Sequence, residues 1–284
     1  MSIFRKSVQR SAATLVALFC VMVLSGAGLS FKKSKVFSGG TDPLPVGIAG
    51  YTFYKFDLET SIAMMKKLGV HYLSVKDIHL PLNSSQETIN ATLAKYKAAD
   101  IHVYTVGVIY MKTKEAVDQA FAYAQKCGVP MIVGVPDYNL LDYTEEKVKE
   151  YNIKLAIHNH GPEDALYPGP KDVYDRIKHR DPRMGLCIDI GHAVRAGTAV
   201  DKAVKEYKSR LFDLHIKDVS IAAKEGKAIE LGRGVIDFPA LVKALNKIGY
   251  KGVCSIEFEK DMSDPMAGIA ESVGYFRGVM SAEK

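Results

Sequence analysis

Residues 185–217 read GLCIDIGHAVRAGTAVDKAVKEYKSRLFDLHIK, and this stretch gives the clearest indication of the fold. It opens with one short apolar run, Gly185–Ile188, and closes with another, Phe212–Ile216, and both have the length and composition of buried strands. A segment with helical spacing of apolar residues lies between them. Strand, helix and strand in this order form a parallel pair joined by a right-handed crossover. The stretch therefore predicts one βαβ unit.

The same alternation extends along the chain in both directions. One helix candidate carries Leu241, Leu245 and Ile248 on one face and stops at Gly249, as a helix C-terminus should. Eight βα units in about 240 residues, with no break in composition, fit a closed barrel better than an open sheet. We therefore predict an α/β fold with a single (β/α)₈ TIM barrel at residues 45–284. Its eight strands are predicted at Val46–Tyr51, Tyr72–Val75, Val103–Val108, Met131–Val135, Lys154–His158, Gly185–Ile188, Phe212–Ile216 and Val253–Phe258.

The first 27 residues have the pattern of a secretory signal peptide. A basic start precedes the apolar run Ala12–Leu24, and the small residues Ser25, Gly26 and Ala27 follow it. A membrane anchor is the alternative, but about 13 apolar residues fall short of the roughly 20 that span a bilayer. Residues 28–44, rich in Lys, Gly and Pro, are interpreted as a tether. We therefore expect an exported, periplasmic protein with no stable membrane span after cleavage.

Composition excludes several classes of protein. The chain has 284 residues, of which 48% are apolar and 25% charged, close to the globular average and unlike a disordered chain or a coiled coil. Four Cys are too few for a disulfide framework. The net charge is only +6, and three of the positive charges lie in the first ten residues, so nucleic acid is not expected as a partner. The oligomeric state is left open.

Ionisable residues gather at the predicted ends of four consecutive strands. In this barrel the active site forms at the C-terminal ends of the strands, so these residues carry the functional information. Side chains alternate along a strand, which puts alternate residues on one face. The residues expected at this rim are His158 and His160 at the end of strand five, Asp189 and His192 at the end of strand six, His215 and Lys217 at the end of strand seven, and Glu257 and Glu259 at the end of strand eight.

Several titratable groups buried together need a partner, because an unpaired buried charge is costly. A divalent cation is the simplest partner, and a mixed set of imidazoles and carboxylates suits Mn²⁺, Zn²⁺, Co²⁺ or Fe²⁺ better than Ca²⁺. A metal-free network of hydrogen bonds among the same residues is the alternative. The predicted metal ligands are His158, Asp189, His215 and Glu257.

These motifs resemble the xylose-isomerase-like TIM barrels, which include sugar isomerases, sugar epimerases, inosose dehydratases, 3-keto-glycoside lyase relatives and, more distantly, endonuclease IV. The resemblance rests on GIAGYTF at 47–53, KDIHLP at 76–81, the Asp189-x-x-His192 pair, the His215-x-Lys217-Asp218 run, GRGVID at 232–237 and the closing Glu257. It implies a divalent metal held by Glu, Asp, His and Glu from strands five to eight. Asp189, His215 and Glu257 match that set. The first ligand differs, because His158 stands where relatives have Glu.

The departure at His158 bears on the reaction. Isomerases and epimerases of this type resemble two-base enzymes, in which two metal-bound glutamates move protons. A metal-bound imidazole has no lone pair left to accept a proton. One base and a metal-stabilised enolate suffice to remove a proton next to a ketone and expel a β substituent. We therefore predict a metal-dependent carbohydrate lyase of the 3-keto-glucoside 1,2-lyase type.

Roles for the remaining residues are hypotheses. His160 is the first choice for the base, and Glu257 is the alternative that the resemblance suggests. His192 could bind a sugar hydroxyl or protonate the leaving oxygen, and Lys217 could stabilise the enolate. Candidate substrate contacts are His79, Tyr51, Phe53, Arg233 and Glu259, for each of which a structural role is the alternative.

Three other functions compete with the lyase. A metal-dependent sugar isomerase or epimerase acting through an enediolate would use nearly the same residues. A non-catalytic sugar-binding protein would be expected to lack a ligand, whereas all four positions carry competent groups. A phosphodiesterase like endonuclease IV would need more ligands and a basic groove.

Overall fold

The structure, a computed structural model, describes residues 44–283. Its strands are β1 (Val46–Ala49), β2 (Tyr72–Val75), β3 (His102–Met111), β4 (Met131–Pro136), β5 (Lys154–His158), β6 (Met184–Asp189), β7 (Leu211–Ile216), β8 (Asp218–Val219), β9 (Ala228–Ile229) and β10 (Cys254–Ile256). Its α-helices are α1 (Leu58–Leu68), α2 (Gln86–Ala98), α3 (Lys114–Cys127), α4 (Leu141–Tyr151), α5 (Pro170–Ile177), α6 (Ile190–Arg195), α7 (Val200–Glu206), α8 (Phe238–Ile248) and α9 (Met266–Ala282).

Eight of these strands close into a parallel barrel, in the order β1-β10-β7-β6-β5-β4-β3-β2. The predicted TIM barrel is confirmed, and each of the eight predicted strands overlaps one barrel strand. β8 and β9 form a separate antiparallel hairpin that follows β7. The predicted signal peptide lies outside the described residues, as does the predicted tether apart from Leu44. Within residues 44–283, no helix combines the length and the apolar character needed to cross a bilayer.

Local sequence signals place the helices. The side chain of Asp237 accepts a hydrogen bond from the Ala240 backbone N–H and caps the start of α8. Leu241 and Leu245 on the inner face of α8 are fully buried. Gly249 ends the helix with a positive φ of 66°, which glycine adopts without a steric penalty. The helix predicted from the sequence is therefore the one that forms.

The core lies between the barrel and its ring of helices, with further apolar residues inside the barrel. Burial of aliphatic and aromatic side chains is extensive there: Ile48, Val106, Ile132, Leu155 and Phe276, for example, are at most 1% exposed. Removal of this apolar surface from water is the main force that stabilises the fold. Since all eight strands run in one direction, their C-terminal ends meet on one rim of this rigid barrel, and the residues that follow them converge there.

Candidate metal centre

Four buried side chains on that rim lie within reach of a single ion. One ligand atom each from His158, Asp189, His215 and Glu257 lies within 4.8 Å of the others. His158 Nε2 is 3.0 Å from His215 Nδ1 and 3.8 Å from Asp189 Oδ2, and His215 Nδ1 is 3.4 Å from Glu257 Oε2. None of the four residues is more than 5% exposed. The structure thus brings together the four residues that the sequence suggested as ligands.

Two hydrogen bonds join the ends of β5 and β6 beside this centre. The Asn159 side-chain amide donates to the Asp189 backbone carbonyl at 3.0 Å, and the Asp189 N–H donates to Asn159 Oδ1 at 3.1 Å. These two bonds fix Asp189 relative to His158, which pairs with Cys187 in the strand register. Asn159, which lies between His158 and His160 in the sequence, therefore positions Asp189.

Asp189 also begins the helix that follows it. Its Oδ1 accepts a hydrogen bond from the His192 N–H at 2.8 Å and caps α6, so the Asp-x-x-His spacing is that of a helix N-cap. Its Oδ2 is buried and has no hydrogen-bond partner. One carboxylate oxygen is thus used for folding, and the other faces the centre.

A hydroxyl from the turn after the neighbouring strand β1 positions Glu257. Thr52 Oγ1, in the short 3₁₀ turn after β1, accepts from the Phe258 N–H at 3.0 Å and donates to the Ile256 carbonyl at 3.3 Å. The Glu257 N–H donates to the Ile216 carbonyl at 3.0 Å. The backbone on both sides of Glu257 is therefore fixed, which holds its carboxylate against His215.

Lys217 supplies a buried positive charge beside the carboxylates. Its Nζ lies 3.0 Å from Glu257 Oε2, 3.3 Å from Asp189 Oδ2 and 2.9 Å from Glu259 Oε2, and the residue is 2% exposed. Burial alone would lower the pKa of Lys217, but Asp189 and Glu257 raise it well above its usual range. The same ammonium, with His215, holds the pKa of Glu257 well below its usual value despite burial.

The histidines around the centre differ in their electrostatics. Burial, with the neighbouring His160 and His215, lowers the pKa of His158 well below its usual value. Burial and the charge of Lys217 lower the pKa of His192 to about 3. Burial also lowers the pKa of His160, although Asp164 opposes that shift. All three imidazoles are therefore neutral near pH 7, the form in which His accepts a proton or binds a metal.

A buried polar atom without a hydrogen bond tests whether an ion fits this centre. Asp189 Oδ2 is buried, lacks a hydrogen bond to the described residues and lies 3.8 Å from His158 Nε2. His158 Nε2 and His215 Nδ1 are the two ring nitrogens that converge with it. Buried polar groups without partners are rare in folded proteins and are often explained by an unseen ion or water. Two imidazoles and two carboxylates form a donor set that suits Zn²⁺, Mn²⁺, Co²⁺ or Fe²⁺. The residues therefore fit a divalent transition-metal ion.

A buried polar layer supports the centre from below. The Tyr104 hydroxyl lies 2.9 and 3.0 Å from the two carboxylate oxygens of Asp213, and 2.6 Å from Ser255 Oγ. Burial raises the pKa of Asp213 to about 7. Asp213 and Ser255 occupy the same strands as His215 and Glu257 but sit deeper, so their network fills the barrel beneath the ligands.

A cavity of about 350 Å³ opens above the centre. Its lining includes Tyr51, His160, His192 and Glu259, four of the residues predicted to act on or contact a substrate, together with His158 and Glu257. It also includes Lys76, Val108 and Tyr110, which the sequence analysis did not select. The cavity thus joins the predicted chemistry to a space that can hold a small molecule.

Tyr110 is the most informative of the residues that sequence reasoning missed. Its hydroxyl lies 2.9 Å from His160 Nε2, and the two rings stack with centroids 5.4 Å apart. Strand three was predicted to end at Val108, whereas β3 continues to Met111 and carries Tyr110 onto the rim. The alternation that places Val108 at the cavity also places Tyr110 there, and this signal could have found it.

Three predicted substrate contacts lie elsewhere. Phe53 is 1% exposed and belongs to the hydrophobic core. His79 Nε2 contacts the Phe56 carbonyl at 3.2 Å, outside the cavity lining. Arg233 forms a two-bond ion pair with Glu271 at 2.5 and 2.7 Å on the exposed face of α9. None of the three residues lines the cavity, and each makes the packing or pairing contact that was the structural alternative.

Known proteins with this fold include carbohydrate enzymes. An inosose dehydratase from Klebsiella pneumoniae is 32% identical over 148 residues, which cover 45% of this chain and 49% of that protein. Among solved structures, the zinc-bound IolI protein superposes with a TM-score of 0.70 at 16% identity, covering 85% of this chain and 99% of the other. The 3-keto-D-glucoside 4-epimerase of E. coli gives a TM-score of 0.67 at 15% identity, covering 83% and 99%.

At identities this low, the two structures establish the shared fold alone, and the dehydratase match extends over about half of either protein. The comparison that decides the family spans most of the barrel. The family model described as xylose isomerase-like TIM barrel matches residues 57–279, from the start of α1 nearly to the end of α9. The chain belongs to the xylose isomerase-like TIM barrel family.

Proposed function

We propose that this protein is a divalent-metal-dependent carbohydrate lyase, which removes the proton next to a sugar ketone and expels the glycosidic substituent. The observation that carries the proposal is the buried set His158, Asp189, His215 and Glu257 beneath a cavity of about 350 Å³. His158 in place of a carboxylate leaves this centre with one fewer proton-accepting ligand, which favours elimination over two-base epimerisation.

His158, Asp189, His215 and Glu257 would hold the ion, which when bound supplies a Lewis acid that makes the C–H bond next to a ketone more acidic. The charge of Lys217 lowers the pKa of Glu257 and opposes the rise that burial causes in the pKa of Asp189. The same ammonium lies near enough to the centre to stabilise negative charge on a bound sugar. With an ion bound, the ion and Lys217 would together offset the negative charges of Asp189, Glu257 and Glu259.

His160 is the proposed base. It is neutral because burial lowers its pKa, and its Nε2 faces the Tyr110 hydroxyl at the cavity. Its Nδ1 lies 3.3 Å from Asp164 Oδ2. A substrate in the cavity would either displace the Tyr110 hydroxyl and transfer its C2 proton directly to His160 Nε2, or transfer that proton to His160 by way of the Tyr110 hydroxyl. Glu257 is the alternative base.

Tyr110 is the proposed donor to the leaving oxygen. The low pKa of His192, about 3, makes that residue a hydrogen-bonding group rather than an acid near pH 7. A phenol retains its proton, and the Tyr110 hydroxyl lies at the half-exposed mouth of the cavity, where an aglycone would leave. In the whole reaction the C2–H and C1–O bonds break and a C1=C2 double bond forms. The proton from C2 is balanced by the one that the leaving alkoxide or phenoxide receives.

The names of the relatives support the choice of substrate class. A dehydratase of an inosose eliminates water from a keto compound, and the E. coli epimerase acts on a 3-keto-D-glucoside. A ketone at C3 acidifies C2–H and leaves the aglycone at C1 in the β position. If the predicted export of the chain is correct, glycosides outside the cytoplasm would be the available source of such substrates.

The decisive experiment follows a 3-keto-glucoside with a nitrophenyl aglycone in the presence of Mn²⁺, Co²⁺ or Zn²⁺. Release of nitrophenol together with an unsaturated keto-sugar, read by absorbance and mass, is the expected result. The same incubation in D₂O separates the rival reaction, because an epimerase or isomerase would incorporate label into a substrate that keeps its aglycone. Label uptake without release of nitrophenol would exclude the lyase.

The ligand assignment is tested separately with His158→Ala and a matched control, His179→Ala. His179 is exposed and lies between α5 and β6, at the opposite end of the barrel. We expect purified His158→Ala to lose bound metal and turnover, and His179→Ala to retain both. Full metal content and activity in a folded His158→Ala protein would overturn the proposed centre.

A further inference from the structure

The two ends of the barrel carry opposite charge. Acidic side chains occupy the first turns of most helices, on the side of the cavity: Glu59, Glu87, Glu115, Asp142, Asp172 and Asp201. Lysines occupy the last turns, on the side where the strands begin: Lys66, Lys67, Lys95, Lys97, Lys126, Lys149, Lys205 and Lys247. This distribution complements the helix dipoles, and taken alone it needs no ligand.

Three further lysines lie at the end of the barrel where the strands begin (the strand-start end), and the helix dipoles do not explain them. Lys154 is the first residue of β5, Lys208 precedes β7, and Lys251 precedes β10, so none belongs to a helix. They surround a second cavity of about 310 Å³, which is lined with no acidic residue. Lys154 Nζ lies 5.0 Å from the centre of the Phe212 ring, and all three lysines are exposed.

These lysines have no carboxylate partner among residues 44–283. The acid nearest to them along the chain is the exposed Glu206, two residues before Lys208, and it forms no ion pair with any of the three. Asp181, in the loop before β6, binds Arg183 at 2.8 Å. Clustered cations without counter-charges raise the positive potential over the whole end of the barrel. The excess charge is therefore available to an outside partner.

The chain also enters the barrel at this end. The Cys254 N–H donates to the Pro45 carbonyl at 2.8 Å, and Cys254 lies two residues after Gly252 of the second cavity. The described chain therefore begins, at Leu44, at the same end of the barrel as the three lysines. The predicted tether before it contains Lys32, Lys33 and Lys35.

We infer that the strand-start end of the barrel is a docking surface for an anionic phospholipid bilayer. An enclosed site for one small anion fits poorly, because α8 ends at Ile248 beside the cavity and directs its negative dipole end there. A lipid surface attracts spread lysines without enclosing any of them. The catalytic cavity opens at the opposite end and would face the aqueous phase. The inference is independent of the proposed reaction.

The test compares three full-length proteins that share the same leader. One is the native chain, and one carries Lys154→Glu, Lys208→Glu and Lys251→Glu. The matched control carries Lys55→Glu, Lys224→Glu and Lys227→Glu, three exposed lysines at the cavity end with the same change in charge. Each is floated with vesicles of phosphatidylcholine alone or with about one third phosphatidylglycerol, at low and high salt.

We expect the native chain and the control triple to bind the anionic vesicles at low salt and to dissociate at high salt. The Lys154/Lys208/Lys251 triple should bind at least ~10-fold more weakly, since each lysine near an anionic bilayer strengthens binding several-fold. Melting curves and metal content establish that the variants are folded. Equal loss in both triples would assign binding to net charge, and binding unchanged in both would assign it to the leader; either result overturns the inference. Retention on RNA but not on vesicles also overturns it.

Discussion

At position 158 one side chain sets the number of proton-accepting groups around the centre. His158 is 1% exposed and its Nε2 is 3.0 Å from His215 Nδ1, and as a metal ligand it would have no lone pair left to accept a substrate proton. Glu at the same position would supply a second carboxylate. The reaction type is therefore argued from this residue.

The variant His158→Glu tests that argument directly. We expect it to retain bound metal, because carboxylates and imidazoles both ligate such ions, and to gain exchange of the substrate C–H proton in D₂O relative to elimination. The ratio of deuterium uptake to nitrophenol release measures the change. The alternative variant His158→Gln should show no such gain, since an amide is not a base. An unchanged ratio in His158→Glu would remove the link between His158 and elimination.

Tyr110→Phe tests the donor to the leaving oxygen. Loss of the hydroxyl should lower turnover by roughly 10²-fold for an alkyl 3-keto-glucoside. The loss should be much smaller for a nitrophenyl substrate, whose leaving group needs no proton. Tyr54→Phe is the control, because Tyr54 is exposed, contacts the Tyr51 ring at a tilt and does not line the cavity. Equal losses on the two substrates would mean that Tyr110 only shapes the cavity.

Asp181 couples stability to pH in the loop before β6. Hydrogen bonds from Arg183 hold its pKa at about 2, below the unfolded value of about 4. A lowered pKa gives stability that is present above about pH 4 and lost as the pH falls toward 2. Asp181→Asn should therefore lower the free energy of unfolding by about 1–2 kcal/mol at pH 7, and the difference should vanish near pH 2.

Urea unfolding at several pH values measures that difference. Glu225→Gln serves as control, because Glu225 is exposed and forms no ion pair with a described residue. A penalty for Asp181→Asn that is the same at pH 7 and pH 3 would show that the ion pair with Arg183 does not determine it.

Two glycines show how elements differ in their tolerance of a methyl group. Gly185 lies in β6, where a Cβ would come within 2.4 Å of the Arg210 carbonyl oxygen and of the Phe212 ring. That oxygen also accepts the Leu186 N–H at 2.7 Å, so it cannot move freely. The close approach of β6 and β7 requires glycine here, and it fixes the register that places Asp189 beside His215.

Gly185→Ala should therefore destabilise the protein by about 2 kcal/mol, because overpacking forces the two strands apart. It should also weaken metal binding, since Asp189 and His215 lie at the far ends of the same strands. Urea unfolding and a metal titration measure the two effects. Wild-type stability would show that the strands adjust at no cost.

Gly274→Ala is expected to have the opposite sign. Gly274 lies in α9, is exposed, and a Cβ there would meet nothing within 4 Å. Alanine loses less backbone entropy in a helix than glycine does, so the substitution should stabilise the protein by about 0.5–1 kcal/mol. The melting temperature, compared with that of Gly185→Ala, reports the contrast. A loss of stability would indicate that this face of α9 packs against something.

On the scale of the whole molecule, the metal centre is expected to stabilise the barrel. The four proposed ligands come from β5, β6, β7 and the end of β10, so an ion that binds them joins four consecutive barrel strands. At 100 times its dissociation constant, a ligand adds about 2.7 kcal/mol to stability. For a domain of this size that corresponds to a rise in Tm of roughly 5–10 °C.

Differential scanning fluorimetry after chelation and after addition of Zn²⁺, Mn²⁺ or Ca²⁺ measures this shift. We expect the rise with Zn²⁺ or Mn²⁺ and little with Ca²⁺, which prefers more oxygen ligands. His158→Ala should show no rise. Equal rises in native protein and in His158→Ala would place the bound ion elsewhere.

The sequence was sufficient for most of the barrel. Alternating strand and helix patterns, the Asp237 cap and the Gly249 stop are local signals, and they allowed eight strands to be predicted at nearly their observed positions. The rim residues followed from the same patterns, because a parallel barrel must bring the C-terminal ends of its strands together. Hence the proximity of His158, Asp189, His215 and Glu257 could be expected before any coordinates were known.

Only the tertiary structure showed which side chains line the same cavity. Phe53, His79 and Arg233 sit at plausible positions along the chain, yet their side chains pack or pair away from the cavity, whereas Tyr110 reaches His160 across 50 residues. Distances between side chains on different strands depend on barrel closure and register, which no local pattern encodes. For the same reason the position of Lys217 among three carboxylates, and the unpaired lysines at the other end, became visible only in the folded protein.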